Sequence, residues 1–254
     1  MPTPKNRFQD FFDDHTYVAL KNYLYNYLLR KRKIEKFIEK TGGEPILEVG
    51  SGLSPMITDI NPVVYMDLSL SALQELRLKQ SNGWFVVADV TCLPFKSKSF
   101  SQVVCSEVLE HLRDDALALK EIVQVMKPSG SLVLTFPHRR FYYAADDRFV
   151  RHLRRYELAE MSDHLKKVGL DPVDVRKILG PLEKLTMLFA VYFYIRLQKL
   201  ASKDCKTSCR RPPPDVIISI LKWSNHIYSV LVWLEAKIMP RSLSTVLLIK
   251  AVKR

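Results

Sequence analysis

The sequence predicts an α/β protein with a doubly wound, seven-stranded and mostly parallel sheet. Two observations predict this class. Short and nearly continuous apolar runs recur from residue 45 onward, and segments with helical periodicity separate them. Strands that crossover helices bury on both faces have this composition. We therefore expect one sheet with helices on both of its faces.

The composition is that of an ordinary globular chain. The 254 residues are 47% hydrophobic and 26% charged, which excludes a disordered, collagen-like or disulfide-stapled protein. The four unevenly spaced cysteines favour a reducing, cytoplasmic compartment, and the first residues show no apolar stretch typical of a secretory signal. Cys205 and Cys209 lack two further ligands for zinc, so no metal site is expected.

Residues 1–44 are predicted to form an N-terminal helical arm. Apolar residues recur at roughly helical spacing from Tyr17 to Ile38, which predicts a helix over residues 15–40. The dipeptide Gly42-Gly43 is a typical end for such a helix.

The remaining residues, 45–254, are predicted to form the sheet domain. Its strands are predicted at 46–49, 63–66, 84–88, 101–105, 132–136, 173–179 and 244–252. Helices are predicted at 71–80, 114–126 and 157–168, with a very short one over Ser54–Ile60. Residues 180–240 contain two long apolar helical patterns joined by a polar stretch, and we interpret them as a helical insertion between the last two strands.

A ligand site is predicted where three successive strands end. Gly50 and Gly52 follow the first strand, Asp67 ends the second and Asp89 ends the third. Glycines let the backbone approach a ligand closely, and an acid after the second strand can accept both hydroxyls of a ribose. The Gly-x-Gly pair alone is also compatible with an ordinary turn, but the three positions together indicate a nucleoside ligand.

The residues around the glycines favour S-adenosylmethionine over a dinucleotide. A pyrophosphate loop needs a third glycine three residues after Gly52, and the chain has Pro55 there. Glu48 precedes the glycines, and an acid suits a ligand that carries an ammonium group. We expect the amino-acid tail of the ligand at this loop, its ribose at Asp67 and its adenine near Asp89.

Five segments resemble the successive motifs of the class I S-adenosylmethionine-dependent methyltransferases, most closely the branch that methylates small molecules, quinones and lipid-like substrates. These segments are 46–52, 65–67, 88–90, 100–112 and 126–130. The resemblance covers roughly residues 40–180 and implies a Rossmann-like methyltransferase fold with S-adenosyl-L-methionine as cofactor. Ser54 replaces the third glycine common in the family's loop. The Asn/Asp-Pro-Pro-Tyr motif of amine methyltransferases is missing, so the expected acceptor atom is oxygen or carbon.

The resemblance also implies which residues contact the cofactor. The predicted cofactor-binding residues are Glu48, Gly50, Ser51, Gly52, Asp67, Leu68, Asp89, Val90, Ser106 and Glu107. By resemblance, the glycine loop lines the methionine moiety, Asp67 the ribose, and Asp89 with Val90 the adenine. Ser106 and Glu107 are expected beside the sulfonium.

Residues in two segments are predicted to act on the acceptor. His111 follows the fourth strand on the cofactor side and is the first choice for a general base. The alternative is that it only hydrogen-bonds its own loop. His152, Arg155 and Tyr156 follow an aromatic-rich loop after the fifth strand and are expected to orient an anionic or aromatic acceptor. The alternative there is an exposed charged loop with Tyr156 at the start of the next helix.

Positive charge concentrates near the insertion. The net charge is +12, and residues 181–254 hold 13 Lys and Arg against 4 Asp and Glu. The uncharged run Leu185–Ile195 would reach only ~16 Å as a helix, against ~30 Å for a bilayer core. Amphipathic helices in a basic context predict contact with an anionic membrane surface. A helical subdomain packed on the sheet domain, or a homodimer interface, is the alternative.

The resulting expectation is a methyltransferase that acts on an oxygen or carbon of a hydrophobic or lipid-linked small molecule. A nucleic-acid methyltransferase would also explain the charge, but its basic residues should surround the active-site face instead of accompanying apolar helices. The broken glycine pattern disfavours a nicotinamide dehydrogenase. A non-catalytic, cofactor-binding protein of the same fold is the third alternative.

Overall fold

A computed structural model describes residues 24–39, 42–60, 62–80, 82–189, 192 and 215–254. For residues 215–224 it describes the backbone only. The first part of the predicted arm, with Tyr17, and the polar stretch of the insertion lie outside the described residues.

The described residues form one mixed seven-stranded sheet, as the sequence predicts. The strands are β1 (Ile46–Val49), β2 (Val63–Asp67), β3 (Trp84–Val87), β4 (Phe100–Ser106), β5 (Met126–Pro137), β6 (Leu170–Leu179) and β7 (Val246–Lys253). Their order is β3-β2-β1-β4-β5-β7-β6. The strands β1 to β5 pair in parallel, while β7 runs antiparallel to both β5 and β6. This is the Rossmann-like methyltransferase fold.

Alternate residues of the central strands point to two separate cores. Leu47, Val103 and Leu132 belong to the cluster on one face of the sheet. Their neighbours Ile46 and Val104 belong to the cluster on the other face. Every residue of β1 is buried, which explains why this strand has no polar and apolar alternation in the sequence.

Helices cover both faces. They are α1 (Tyr25–Glu35), α2 (Leu70–Lys79), α3 (Asp115–Val125), α4 (Ala145–Phe149), α5 (Leu158–Lys167) and α6 (Asp215–Ile238), with a further helical segment at residues 181–189. Ser69 caps α2 by accepting the Ala72 N–H, and Asp114 caps α3 by accepting the Leu117 N–H. Such caps satisfy N–H groups that have no partner within the helix.

The predicted short helix over Ser54–Ile60 is wrong, because this segment is an irregular loop. Side chains hold its backbone groups instead. The Tyr27 and Tyr65 hydroxyls each donate to a loop carbonyl at 2.7 Å, on Pro55 and Ile57 respectively. Because these side chains satisfy the polar backbone of the loop, it stays buried without helical hydrogen bonds.

The helix α1 packs on the sheet domain and does not extend away from it. Its buried residues include Tyr25, Leu29 and Ile34. The Tyr25 N–H donates to the Asn225 side chain of α6 at 3.1 Å, and the Tyr25 ring meets the Tyr228 ring edge-on at 5.0 Å. The N-terminal helix and the insertion therefore support each other.

The helix α6 turns an apolar face outward. Ile227, Leu231 and Ile238 are 45%, 51% and 82% exposed, whereas Val232 and Ala236 on the opposite face are buried. Among the described residues, no helix combines the length and the apolar character needed to cross a membrane.

Candidate functional site

A cavity of about 740 Å³ lies at the carboxyl edge of the parallel strands. The segments that follow β1 to β4 line one side of it, and α1, α4 and the 181–189 segment contribute the other side. Nine of the ten predicted cofactor-binding residues line the cavity. They are Gly50, Ser51, Gly52, Asp67, Leu68, Asp89, Val90, Ser106 and Glu107. The residues that the sequence analysis selected therefore surround one cavity.

Gly50 has to be a glycine for two reasons. Gly50 has a φ of +71°, and a Cβ there would meet the Val108 side chain at 2.4 Å. The Gly52 N–H donates to Asp67 Oδ2 at 2.9 Å, while the Ser69 N–H donates to Asp67 Oδ1 at 2.8 Å. Backbone donors on both sides thus orient the Asp67 carboxylate at the wall of the cavity.

Asp89 follows β3, the edge strand of the sheet, and is exposed. Its Oδ1 accepts from the Thr91 N–H at 2.9 Å and from the Thr91 hydroxyl at 2.7 Å. These bonds are those of an Asx turn, which fixes the direction of the carboxylate.

Glu48 is buried and is not among the residues that line the cavity. Its carboxylate accepts the N–H groups of Met56 at 2.6 Å and Ile57 at 3.1 Å. Burial raises the pKa of Glu48 to about 7, against the opposing effect of these two donors. In this structure Glu48 therefore positions the loop, while its predicted contact with an ammonium group stays a prediction.

The predicted sulfonium side carries a chain of polar contacts. The Ser106 and Thr135 hydroxyls lie 2.9 Å apart, and the Thr135 hydroxyl donates to Glu107 Oε1 at 3.1 Å. Arg30 of α1 pairs with Glu107 Oε2 at 3.2 Å. Glu107 has a φ of +55°, a conformation that costs energy in a residue other than glycine and that concentrates at functional sites.

His111 and His152 also line the cavity, next to each other. Their ring centroids are 4.8 Å apart. The His152 Nδ1 lies 2.9 Å from Asp147 Oδ1, and the His111 Nδ1 lies 3.3 Å from the carbonyl of Arg151. The side chain of Glu110 is fully buried behind both rings. Burial, and secondarily the charge of Glu107, raises the pKa of Glu110 well above its usual range.

The structure does not bring Tyr156 to the cavity. Its ring is fully buried, and its hydroxyl donates to Asp115 Oδ2 at 2.6 Å. Burial raises the pKa of Tyr156 far above its usual range, with the neighbouring carboxylate as the next cause. The predicted role of Tyr156 on the acceptor does not fit this position, because the ring is buried in the apolar core.

Sequence reasoning missed a buried ionic network beside the cavity. Lys184 contacts Asp146 at 2.6 Å and Asp147 at 2.7 Å, and Arg155 contacts Asp147 at 2.7 Å. Burial alone would raise the pKa of Asp147, but hydrogen bonds from His152 and the charges of Arg155 and Lys184 hold it well below its usual range. The sequence signal for this network was the pair Asp146-Asp147 in an aromatic-rich loop. Lys184, which contacts the pair from the 181–189 segment, is distant in sequence.

Comparison with known proteins agrees with this geometry. Residues 47–134, about a third of the chain, match the family model described as a methyltransferase domain. The match begins in β1 and ends in β5, so it spans the strands whose ends form the cavity.

Two curated relatives have related descriptions. A probable S-adenosylmethionine-dependent methyltransferase of Mycolicibacterium smegmatis is 24% identical over 157 residues, covering 59% of this chain and 61% of the relative. A demethylmenaquinone methyltransferase of Renibacterium salmoninarum is 30% identical over 116 residues, covering 44% of this chain and 49% of the relative. The chain thus matches about half to three fifths of the length of these relatives.

A solved structure shares the fold over almost the whole chain. The phosphoethanolamine N-methyltransferase 2 of Haemonchus contortus, in complex with S-adenosyl-L-methionine, matches with a TM-score of 0.56 and 17% identity. The match covers 99% of this chain and 61% of that protein. Residues 47–134 are thus similar to a methyltransferase domain, and the described part of the chain has the fold of the solved neighbour.

Proposed function

We propose that this protein transfers a methyl group from S-adenosyl-L-methionine to an oxygen or carbon of a hydrophobic or lipid-linked small molecule. The observation that carries the proposal is the single cavity wall shared by the glycine loop, Asp67, Asp89 and Glu107. A cavity of this size suits a small-molecule ligand. The donors and acceptors along its wall match the amino-acid tail, ribose and adenine in the order expected for this cofactor.

The proposed reaction is an in-line displacement. The electron pair of the acceptor atom attacks the methyl carbon, the S–C bond breaks, and its electrons stay on sulfur as the thioether of S-adenosylhomocysteine. Positioning lowers most of the barrier, because the sulfonium is already activated. A base must take the proton of an alcohol or an acidic carbon. His111 and His152 are the proposed groups at the acceptor end.

The apolar part of the cavity lining supports an apolar acceptor. Apolar side chains line the cavity from three elements or connections, namely Leu117 of α3, Val150 after α4, and Leu179, Met187 and Val246 around the insertion. The demethylmenaquinone methyltransferase relative is compatible with this acceptor class. Glu183 and the buried ionic network supply polar groups to the same lining.

The test of the activity is an incubation of the protein with methyl-labelled cofactor and a lipid extract. We expect one methyl to be added to a component of the extract, and we expect His111→Ala to lower turnover ~100-fold or more while cofactor affinity changes by only a few fold. His226→Ala, an exposed histidine on α6, is the matched control. Tight cofactor binding without turnover on any extract would support the non-catalytic alternative instead.

We further propose that the insertion brings the protein to anionic membranes. The outward apolar face of α6 supports this, and so does a basic groove that another side of α6 forms with α1 and β6. The groove is lined by Arg32, Lys33, Lys36, Arg176, Lys177, Lys237 and Arg241, together with Trp233. Each basic residue near an anionic leaflet contributes about 1 kcal/mol, so several of them together suffice for reversible attachment.

Liposome flotation tests this second proposal. The intact protein should float with anionic liposomes at low salt, and less so as salt rises, because screening weakens the charges. The double substitution Leu231→Glu and Leu234→Glu on the exposed face of α6 should reduce flotation. The control is Leu78→Glu, at a position that is 88% exposed on α2. If the intact protein stays in the soluble fraction with both anionic and neutral liposomes, the helices form a lid or a dimer interface.

A further inference from the structure

Beside the cavity, Glu110, which no step of the proposed reaction uses, converges with His111 and His152. One carboxylate oxygen of Glu110 and one ring nitrogen each of His111 and His152 all lie within 4.8 Å of one another. Glu110 Oε1 is 3.9 Å from the Nε2 of His111 and 3.7 Å from the Nε2 of His152. These separations are too long for hydrogen bonds, but they leave room for an ion between the three atoms.

Glu110 is the least ordinary member of this cluster. Its side chain is fully buried, and both of its carboxylate oxygens lack a hydrogen-bond partner. A buried carboxylate without donors is costly unless a charge or a metal compensates it. The two oxygens therefore point to a cationic ligand in the space that the histidines face.

The rings of both histidines are oriented in the way that metal ligands are. The Nδ1 of His152 lies against a carboxylate, Asp147 Oδ1, and the Nδ1 of His111 lies against a backbone carbonyl. An acceptor at Nδ1 places the proton of a neutral imidazole there, so the Nε2 lone pair faces Glu110. Carboxylate or carbonyl partners of this kind fix the tautomer and direction of metal-ligating histidines.

We propose that Glu110, His111 and His152 bind a divalent transition-metal cation. Two imidazole nitrogens and one carboxylate oxygen suit Zn²⁺, Mn²⁺, Fe²⁺ or Co²⁺, whereas Mg²⁺ and Ca²⁺ prefer oxygen ligands alone. Bonds of about 2.1 Å separate neighbouring ligand atoms by about 3.0–3.4 Å, so the three side chains need to close in by roughly 0.5–1.5 Å. The sequence predicted no metal because His152 lies far from the other two residues along the chain.

Three protein ligands leave coordination positions open toward the cavity, which His111 and His152 line. A cation there binds an acceptor oxygen and lowers the pKa of its hydroxyl, so the proton leaves before the methyl arrives. This role rests on the proposed function and favours oxygen over carbon as the acceptor atom. With the cation bound, the two histidines act as its ligands, and the released proton passes to solvent.

Cation binding is measurable without any methyl transfer. The full-length protein, stripped with a chelator and then dialysed, is titrated with Co²⁺ by visible absorption and with Zn²⁺ and Mn²⁺ by calorimetry. We expect one saturable equivalent. Glu110→Gln and His152→Gln should each weaken it by more than the roughly 10–100-fold that loss of an outer partner costs. His226→Gln is the matched control and should bind as the intact protein does.

Cofactor affinity and circular dichroism of each variant show whether it has folded. A folded intact protein without a saturable equivalent overturns the proposal, and so do folded Glu110→Gln and His152→Gln variants that bind the cation as tightly as His226→Gln. A separate result would contradict the proposed function: intact protein that binds the cation but does not bind S-adenosyl-L-methionine.

Discussion

The Asp67 carboxylate performs two tasks at the scale of one residue. It accepts the N–H groups of Gly52 and Ser69, and it lines the cavity where a ribose is expected. Carboxylate oxygens have enough lone pairs to serve both the loop and a ligand. The shape of the glycine loop and the proposed recognition of the ribose therefore depend on the same side chain.

Replacing this carboxylate should weaken cofactor binding. Asp67→Ala removes charge-assisted hydrogen bonds worth roughly 1.5–3 kcal/mol, so calorimetry should show an affinity for S-adenosyl-L-methionine about 10- to 100-fold lower. Glu75→Ala changes a carboxylate on the exposed surface of α2 and should leave affinity unchanged. Unchanged affinity in Asp67→Ala would exclude Asp67 from the ribose site.

Glu48 should make stability depend on pH. Burial raises its folded-state pKa to about 7, above the usual value of about 4.3 that it has in the unfolded chain. Between these two values the unfolded chain has lost the proton and the folded chain still holds it. The free energy of unfolding therefore falls as pH rises through this window.

The measurement is chemical denaturation at several pH values. Glu48→Gln should flatten the decline between pH 4.5 and 7, with an effect on the order of 3 kcal/mol or less. Glu183 is the other buried carboxyl whose pKa burial raises to about 7, so some decline should remain in the variant. An identical slope in Glu48→Gln and the intact protein would show that Glu48 does not carry the proton.

At the scale of elements, the loop at residues 53–60 connects the N-terminal helix to the cofactor site. Tyr27 belongs to α1, lines the cavity and donates to the Pro55 carbonyl. Arg30, one turn further along α1, pairs with Glu107. The helix thus contacts the cavity wall both at the loop that follows the glycines and at Glu107.

Removal of the Tyr27 hydroxyl should loosen this connection. Tyr27→Phe loses one buried hydrogen bond worth about 1 kcal/mol, which should lower the melting temperature by about 2–4 °C and weaken cofactor binding. Tyr142→Phe also loses a hydrogen bond, a longer and exposed one at 3.3 Å, and should change both quantities less. Equal effects of the two substitutions would argue against a special link through Tyr27.

A comparison of the predicted and observed elements shows which inferences the sequence supports. Local patterns found all seven strands of the sheet, since strand ends and glycine turns depend on neighbours in the chain. Together with the family resemblance, they also found nine of the residues that line the cavity. The pairing of Arg30 with Glu107 and the approach of His152 to Glu110 depend on how distant segments pack. Tyr156 lies two residues before α5, close to where the sequence places the start of that helix, but only the packing shows that its ring is buried in the core.

At the scale of the whole molecule, the cavity joins α1, the sheet and the 181–189 segment. A ligand bound there contacts all three, so it should stabilise the protein as one unit. At 100 times its dissociation constant a ligand adds about 2.7 kcal/mol, and S-adenosyl-L-methionine should therefore raise the melting temperature by about 5–10 °C. NAD at the same concentration should not. A comparable shift with NAD would indicate a dinucleotide site.

The insertion leaves and re-enters the sheet at neighbouring points. Leu179, the last residue of β6, pairs with Val246, the first residue of β7. The sheet itself holds the two ends of the insertion close together. Doubling the length of such a connection costs only about 0.6 kcal/mol of loop-closure free energy. Evolution can therefore lengthen, shorten or replace this segment at little cost in folding free energy while the strands that form the cavity keep their sequence.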